Sequence, residues 1–301
     1  MNTQYFATRH LASAAFALAF AFTAQAQNPR SFMAVTGNDA NNCTSSANCR
    51  TLARALEVTN PRGEIIAVTS GGYGTATITQ PVSITATGVV ASLSSTSAPA
   101  LTINTVGSVN ITGLSFHGEG TASNGILVTA VGFLRLYSVQ IENFATDGVQ
   151  FNAPGSLAVY DSDINSNGHD GILLSNASGR AYVHNTSFDG NTFAGCDSAA
   201  GMMTAADSSA HNNSYGFFAN GGTLTLQNDR AIFNLVGIAA SGTSGGNGAG
   251  QLYFSNSLVA DNTTSYSVGV GGTMAGTSPG TTLIAPLQAT VGSLSAPITL
   301  Q

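Results

Sequence analysis

A repeat of 21 to 24 residues restricts the fold of this chain more than any other feature. Each unit contains a Gly followed directly by an apolar residue. The first three intervals between these Gly residues are 23, 23 and 24 residues, and the next two are 21 and 21. The pairs are Gly125-Ile126, Gly148-Val149, Gly171-Ile172, Gly195-Cys196, Gly216-Phe217 and Gly237-Ile238. Self-similarity at this period predicts a solenoid, in which each coil packs on its neighbours.

Apolar residues within each unit alternate as they do in strands that bury one face. They recur at the start of a segment, two residues before it and five residues after it. The starts are Ile111, Leu136, Val159, Val183, Ala205, Leu226 and Phe254. Three short strands per unit predict an all-β fold, a right-handed parallel β-helix.

Asn and Asp form two further columns in this alignment. Asn stands eight residues after five of the starts, at Asn167, Asn191, Asn213, Asn234 and Asn262. Asp or Asn stands two residues after them, at Asp161, Asn185, Asp207, Asn228 and Asn256. We expect these side chains to stack in successive coils and to hydrogen-bond one another and the turn backbone.

Residues 1–26 are predicted to be a signal peptide. An apolar stretch is followed there by the small-x-small sequence Ala24-Gln25-Ala26, so we expect export to the periplasm or the extracellular space. Without Arg9, seven Arg (8 − 1) oppose 14 Asp and Glu, a net charge of −7, and the chain has no Lys. This shortage of positive charge argues against a nucleic-acid partner. No later segment predicts a membrane span, and the oligomeric state stays open.

The exported part divides into three predicted segments. Residues 27–63 form an N-terminal cap, in which a short amphipathic helix covers the end of the solenoid with Leu52 and Leu56 on one face. Residues 64–272 form the β-helix. The uncharged residues 273–301 form a C-terminal cap or tail.

The three cysteines have two different predicted roles. Cys43 and Cys49 flank a short polar loop in a chain bound for an oxidising compartment, which favours a disulfide over a metal site because no other ligands stand nearby. Cys196 occupies the core position of Ile172 and Phe217. It is therefore interpreted as a buried thiol rather than a nucleophile.

The repeat resembles the pectin-lyase-like superfamily of right-handed β-helices over roughly residues 64–270. The opening, Thr36-Gly37-Asn38-Asp39 with Cys43, Cys49-Arg50-Thr51 and Gly71-Gly72-Tyr73-Gly74, is similar to the start of exported bacterial β-helix proteins without an assigned activity. The resemblance implies the fold. The superfamily contains polysaccharide lyases, hydrolases, epimerases, adhesins and binding proteins, so it implies no single activity.

The catalytic motifs of well-known members are missing. Polygalacturonases carry the motifs Asn-Thr-Asp, Asp-Asp, Gly-His-Gly and Arg-Ile-Lys. Here only Gly168-His169-Asp170 is similar to one of them, and it has Asp170 where the Gly-His-Gly motif has its second Gly. We interpret His169 and Asp170 as a structural turn. Pectate lyases use an Arg base beside a calcium-binding acidic cluster, and no such acidic loop is evident. We therefore predict no cofactor and no metal, with calcium as an unsupported alternative.

The side of the predicted solenoid carries a candidate glycan-binding surface. Tyr137, Tyr160, Tyr182 and His184 fall at outward positions of neighbouring coils, with Arg135 beside them. Aromatic rings stack on the apolar faces of sugar rings, so we predict a polysaccharide or cell-surface glycan as the partner. The alternative is that Tyr simply favours half-exposed strands.

Asp163, Asp189 and Arg135 are the sequence-based candidates for catalysis. The coil spacing of about 4.8 Å places the two carboxylates about 8 Å apart, within the roughly 6.5–9.5 Å typical of inverting glycosidases. The alternative is that Asp163 and Asp189 have no catalytic role, because carboxylates at outward positions are more commonly only exposed to solvent. Three functions therefore stay open: an exported protein that binds a polysaccharide on its lateral face, with or without processing it, a non-catalytic structural or adhesin-like module, and a polysaccharide lyase or hydrolase with non-standard catalytic residues.

Overall fold

The computed structural model describes residues 27–242, 248–278, 283–285 and 298–299. The chain winds into a right-handed parallel β-solenoid of about 9 turns, so the predicted fold is confirmed. The predicted signal peptide, residues 1–26, lies outside the described residues. The described part of the chain contains no helix with the length and apolarity needed to cross a membrane.

Each turn contributes one strand to each of three parallel sheets. In the described residues the first sheet has 12 strands: β1 Asn28–Met33, β2 Thr59–Ala67, β5 Val82–Thr85, β8 Ser108–Thr112, β11 Phe133–Tyr137, β14 Ser156–Tyr160, β17 Arg180–His184, β20 Met202–Ala206, β23 Thr223–Gln227, β26 Gln251–Ser255, β29 Thr273–Ser278 and β31 Ile298–Thr299. The second sheet has 10: β3 Gly71–Gly72, β6 Ala91–Ser94, β9 Leu114–His117, β12 Gln140–Glu142, β15 Asp163–Asn165, β18 Ser187–Asp189, β21 Ser209–His211, β24 Arg230–Ile232, β27 Leu258–Ala260 and β30 Leu283–Ala285. The third has 9: β4 Ala76–Ile78, β7 Leu101–Asn104, β10 Ile126–Ala130, β13 Val149–Phe151, β16 Ile172–Leu174, β19 Ala194–Ser198, β22 Tyr215–Asn220, β25 Val236–Ser241 and β28 Thr264–Val268.

The apolar columns of the repeat form one continuous core inside the three sheets. Leu136, Val159 and Val183 lie next to one another in register and are fully buried. Cys196 lies between Ile172 and Phe217 in the third sheet and is also fully buried. Burial raises the pKa of its thiol well above the usual value, so the prediction of a buried core thiol is confirmed.

The predicted Asn column is a buried hydrogen-bonded ladder. The side-chain amide of Asn167 donates to Asn191 Oδ1 at 2.9 Å, and the amide of Asn213 donates to Asn234 Oδ1 at 3.1 Å. Asn234 continues the ladder to Asn262 at 3.0 Å. The same Oδ1 atoms accept backbone N–H groups of the preceding coil. The ladder therefore fixes how successive coils stack.

The N-terminal end of the solenoid is closed by helix α1, Leu52–Val58. Its buried side chains pack against β1, β2 and β4, and the Thr51 hydroxyl caps it by accepting from the Arg54 N–H at 3.2 Å. The predicted disulfide between Cys43 and Cys49 is present. Strands β1 and β29 extend the first sheet on either side of the predicted range 64–272.

Candidate functional site

The predicted glycan-binding residues lie together on the outer face of the first sheet. Tyr137, Tyr160 and His184 form one row across β11, β14 and β17, and Arg135 and Tyr182 lie in the row beside it. The ring centroids of Tyr160 and Tyr182 are 5.9 Å apart, and those of Tyr182 and His184 are 6.2 Å apart. The Arg135 guanidinium lies 6.0 Å from the Tyr160 ring centroid. We call this surface the tyrosine face; carbohydrate binding on it stays a prediction.

The predicted carboxylate pair lies on the second sheet. Asp163 begins β15 and pairs with Ser187 in register, whereas Asp189 ends β18. Both side chains are exposed, and Asp189 Oδ1 accepts a hydrogen bond from the Asn212 amide at 2.8 Å. Water screens charges in such positions. The catalytic role of Asp163 and Asp189 stays a prediction.

A different polar group lies where the second sheet turns into the third. Asp147 directly precedes Gly148, the residue before β13, and Asp170 directly precedes Gly171, the residue before β16, one coil later. His169 Nδ1 lies 2.8 Å from Asp170 Oδ2 and 3.3 Å from Asp147 Oδ1. Asp147 is 4% exposed and Asp170 is 0% exposed, while half of the His169 side chain (50%) reaches the surface.

Backbone hydrogen bonds between coils hold these turns in place. The His169 N–H donates to the Thr146 carbonyl, and the Asp170 N–H donates to Asp147 Oδ1 at 3.1 Å. One coil further, the Ala194 N–H donates to Asp170 Oδ1 at 3.0 Å. Asp147 and Asp170 therefore act as ladder residues as well.

The ladder contacts by themselves do not require charge. An Asn side chain would accept the same backbone N–H groups, as Asn191 and Asn213 do in the Asn ladder. Two stacked, buried carboxylates repel each other and are costly to desolvate. The charged residues therefore indicate a role beyond holding the turn.

Asp197 adds a third carboxylate to this group. It lies on the outer face of β19 beside the core residue Cys196, yet only 2% of it is exposed. Its Oδ2 lies 3.4 Å from the Asn220 amide nitrogen, and its Oδ1 has no hydrogen-bond partner. Buried polar atoms without partners are uncommon and mark places of special interest. We call Asp147, His169, Asp170 and Asp197 the Asp–His cluster.

The members of the cluster shift one another's proton affinity. Burial, reinforced by the charge of Asp170, raises the pKa of Asp147 to about 6 and that of Asp197 well above its usual value. Burial also raises the pKa of Asp170. The hydrogen bond that the His169 ring donates to the Asp170 carboxylate raises the pKa of His169 to about 9. The cluster thus places an exposed imidazole beside buried carboxyl groups whose pKa values are raised, and perturbed titratable groups of this kind are typical of sites of acid–base catalysis.

A row of aromatic rings continues from the cluster along the solenoid axis. His169 stacks on Phe193 with ring centroids 4.7 Å apart. Phe193 meets Tyr215 edge-on at 5.2 Å, and Tyr215 stacks on Phe218 at 4.6 Å. Phe193 and Tyr215 are half-buried. This aromatic row offers flat apolar surface next to the titratable groups.

Sequence reasoning did not find this cluster, although one signal was present. Asp147 and Asp170 each stand directly before the Gly of the repeat, 23 residues apart, which is one coil. The sequence predicts only a structural turn at His169 and Asp170, and it carries no signal for Asp197 because the burial of that residue depends on neighbouring coils. The imidazole and carboxylate atoms of Asp147, His169 and Asp170 lie within 4.8 Å of one another, a ligand set that a divalent cation could use.

Residues 35–209 match the family model described as right handed beta helix region. The fold is similar to pectate lyase Pel9A, with 16% identity and a TM-score of 0.60 over 86% of this chain and 78% of that chain. It is also similar to the alginate lyase from Paenibacillus sp. str. FPU-7, with 15% identity and a TM-score of 0.61 over 89% of this chain and 99% of that chain. No curated protein matches the sequence. The resemblance to pectin-lyase-like β-helices is thus confirmed for the fold.

Proposed function

Since the chain belongs to the right handed beta helix region family, we propose that it is an exported protein that binds a polysaccharide along its side and processes it at the Asp–His cluster. Two proteins with a similar fold are named as a pectate lyase and an alginate lyase, which supports a polysaccharide as substrate. The disulfide between Cys43 and Cys49 fits export to an oxidising compartment.

The observation that carries this proposal is the half-exposed His169 held over buried carboxylates. His169 is the member of the cluster that reaches the surface, so it is the group that contacts the substrate. Asp170 and Asp147 are positioning residues, because their hydrogen bonds fix the ring and favour its charged form. An imidazolium in this position donates a proton to the oxygen of a glycosidic bond as the bond breaks.

The aromatic row and the tyrosine face bind different parts of the polysaccharide. Phe193 and Tyr215 lie next to His169 and hold a sugar ring beside the proton donor. The tyrosine face lies on another sheet, and it retains the polymer without taking part in the chemistry. Long polysaccharides can engage two such surfaces at once, which raises the effective concentration of substrate.

Release of reducing ends tests the proposal. Both hydrolysis and elimination create reducing ends, so the purified protein is incubated with a panel of neutral and acidic polysaccharides. We expect His169→Gln to lower turnover by about 10²–10⁴-fold. The matched control Asp261→Asn changes an exposed turn residue with a left-handed backbone, which Asn also adopts, and keeps full turnover. Equal turnover in His169→Gln would contradict the placement of the chemistry at His169. No release from any member of the panel would contradict the proposal and favour a structural module.

A further inference from the structure

The coil that contains Asn234 carries two large apolar side chains at the turn between the second and third sheets. Phe233 and Leu235 flank this buried ladder residue, and their exposed fractions are 60% and 57%. In the other coils of the Asn ladder, the residues on either side of the Asn are small or polar. They are Ser166, Gly190, Asn212 and Asp261 before it, and Gly168, Thr192, Ser214 and Thr263 after it. The exposed apolar pair is therefore a departure from the repeat in one coil.

Phe233 has a backbone conformation that is unusual for a bulky residue. Its φ is 58°, and the residues at the same position of the other ladder coils also have positive φ. Gly, Asn and Asp adopt this left-handed conformation most readily, whereas the Cβ of a large side chain crowds the following carbonyl oxygen. Backbone strain of this kind is concentrated at functional sites. The conformation therefore indicates that the exposed Phe233 ring serves binding rather than folding.

Phe233 and Leu235 line an open groove of about 530 Å³. Thr192 and Thr263 lie along it and are exposed, and no charged side chain lines it in the described part of the chain. Aromatic rings pack on the C–H faces of sugars, and hydroxyl groups exchange hydrogen bonds with sugar hydroxyls. A stable protein interface takes about 20–30 residues on each side, whereas the apolar patch here has two. The lining therefore fits a sugar ring better than a second protein.

The groove continues the aromatic row along the solenoid axis. Tyr215 pairs in register with Val236 in the next coil, and both pack against the same small apolar cluster of the third sheet. Leu235 directly precedes Val236. Three coil spacings of about 4.8 Å separate Phe233 from His169, which is about 14 Å along the axis. One extended polymer can therefore contact His169, the aromatic row and the groove at the same time.

We infer that Phe233 and Leu235 form a distal subsite, which holds a further sugar ring of the polysaccharide that the Asp–His cluster processes. This inference rests on the proposed function. A disaccharide held at His169 is too short to reach the distal subsite, whereas a hexasaccharide spans the distance. Contact at the second point is intramolecular once the first is made, so it raises the affinity for long chains. The subsite leaves the bond-breaking step at His169 unchanged.

Retention of the purified protein in polysaccharide gels tests this inference. The gels contain a β-glucan, a xylan, a mannan, polygalacturonate or alginate, and the disaccharide and hexasaccharide of the retaining polymer compete with the gel. The double variant Phe233→Asn with Leu235→Thr takes the residue types of neighbouring coils, as at Asn212 and Thr263, so we expect it to fold. Its affinity for the polymer and the hexasaccharide should fall by about tenfold or more, with no change for the disaccharide.

Single variants separate binding from folding. Phe233→Tyr keeps the ring and should retain the affinity of the wild type. Phe233→Asn removes the backbone strain, so its urea midpoint should equal or exceed that of the wild type although it binds the polymer more weakly. The control Val106→Thr changes an exposed apolar residue at the turn between the third and first sheets and should alter neither property.

Equal affinity of the double variant and the wild type for the hexasaccharide overturns the inference, and so does an equal loss of affinity for the disaccharide. A wild-type dimer in sedimentation that the double variant dissociates also overturns it, because Phe233 and Leu235 then contact a second copy of the chain. In each of these cases the proposed function survives if turnover still depends on His169. Retention of the wild type by no polymer overturns both.

Discussion

At the scale of single residues, the pairing of His169 with Asp170 decides the chemistry of the cluster. The 2.8 Å contact between Nδ1 and Oδ2 stabilises the imidazolium, and the nearby Asp147 adds to the effect. The same two carboxylates are buried, and His169, the backbone N–H groups and the Asn124 amide supply their hydrogen bonds.

Asp170→Asn tests this pairing through the pH dependence of turnover. The amide no longer stabilises the imidazolium, so the pKa of His169 should fall from about 9 towards its ordinary value of 6.5. The alkaline limb of the activity profile should move to lower pH by the same amount, and NMR titration of the imidazole should follow it. An unchanged alkaline limb in Asp170→Asn would show that Asp170 does not position or charge His169.

The burial of Asp147 predicts how the free energy of unfolding depends on pH. Its pKa is about 6 in the folded protein and about 3.9 in an unfolded chain. The folded state therefore binds more protons between these values, and the free energy of unfolding falls as the pH rises from about 4 to about 6, by about 3 kcal/mol from this group. The free energy of unfolding, measured with urea at several pH values, should fall less steeply with pH for Asp147→Asn than for the wild type in this window. A slope identical to that of the wild type would contradict the burial argument.

At the scale of elements, stacking of identical positions holds the coils in register. The Asn ladder is the clearest case, because each Oδ1 from Asn191 to Asn262 accepts a backbone N–H of the preceding coil, and the side-chain amides of Asn167, Asn213 and Asn234 bond the next Asn as well. Most strands have only three to six residues, which is too short to fix their own register, and the buried ladder fixes the register of the coils from Asn167 to Asn262.

Asn213→Ala should destabilise the protein by about 2–4 kcal/mol. The change leaves the Asn191 N–H and the Phe188 carbonyl buried without their side-chain partner, and each such group costs about 1–3 kcal/mol. Asn104→Ala removes an exposed Asn at the end of β7 and serves as the control, with little expected change. Equal denaturation midpoints for the two variants would contradict the role of the ladder.

The strands, the helix and the ladders could be predicted from the sequence because their signals are local or repeated. The helix around Leu52 and the disulfide at Cys43 follow from local patterns, and the Asn column follows from recurrence at one repeat position. The Asp–His cluster depends on contacts between three coils: Asp147, Asp170 and Asp197 converge only when the exact turn geometry is known. The exposure of Asp163 and Asp189 likewise depends on which side chains the neighbouring coils present.

At the scale of the whole molecule, the solenoid offers long parallel sides with different chemistry. The tyrosine face lies on the outer side of the first sheet, and the Asp–His cluster lies between the second and third sheets. A rigid body of about 9 turns keeps their separation fixed. A polymer held on one side is therefore kept near the other without any conformational change in the protein.

Removal of two rings from the tyrosine face should weaken retention of the polymer. In Tyr160→Ala with Tyr182→Ala, we expect a higher KM by about tenfold and an unchanged kcat, because stacking contributes about 0.5–1.5 kcal/mol for each ring. Tyr253→Ala changes an outward Tyr on β26 of the same sheet and should leave KM unchanged. A fall in kcat without a change in KM would place the chemistry, not binding, at this surface.

The central claim is that the protein processes a polysaccharide at His169 and not at the exposed carboxylates. The most direct measurement compares turnover of one substrate by His169→Gln and by the double variant Asp163→Asn with Asp189→Asn, each matched for folded content. We predict a loss of about 10²–10⁴-fold in His169→Gln and a rate close to the wild type in the double variant. Loss of turnover in the double variant with full activity in His169→Gln would contradict the account and return the chemistry to the second sheet.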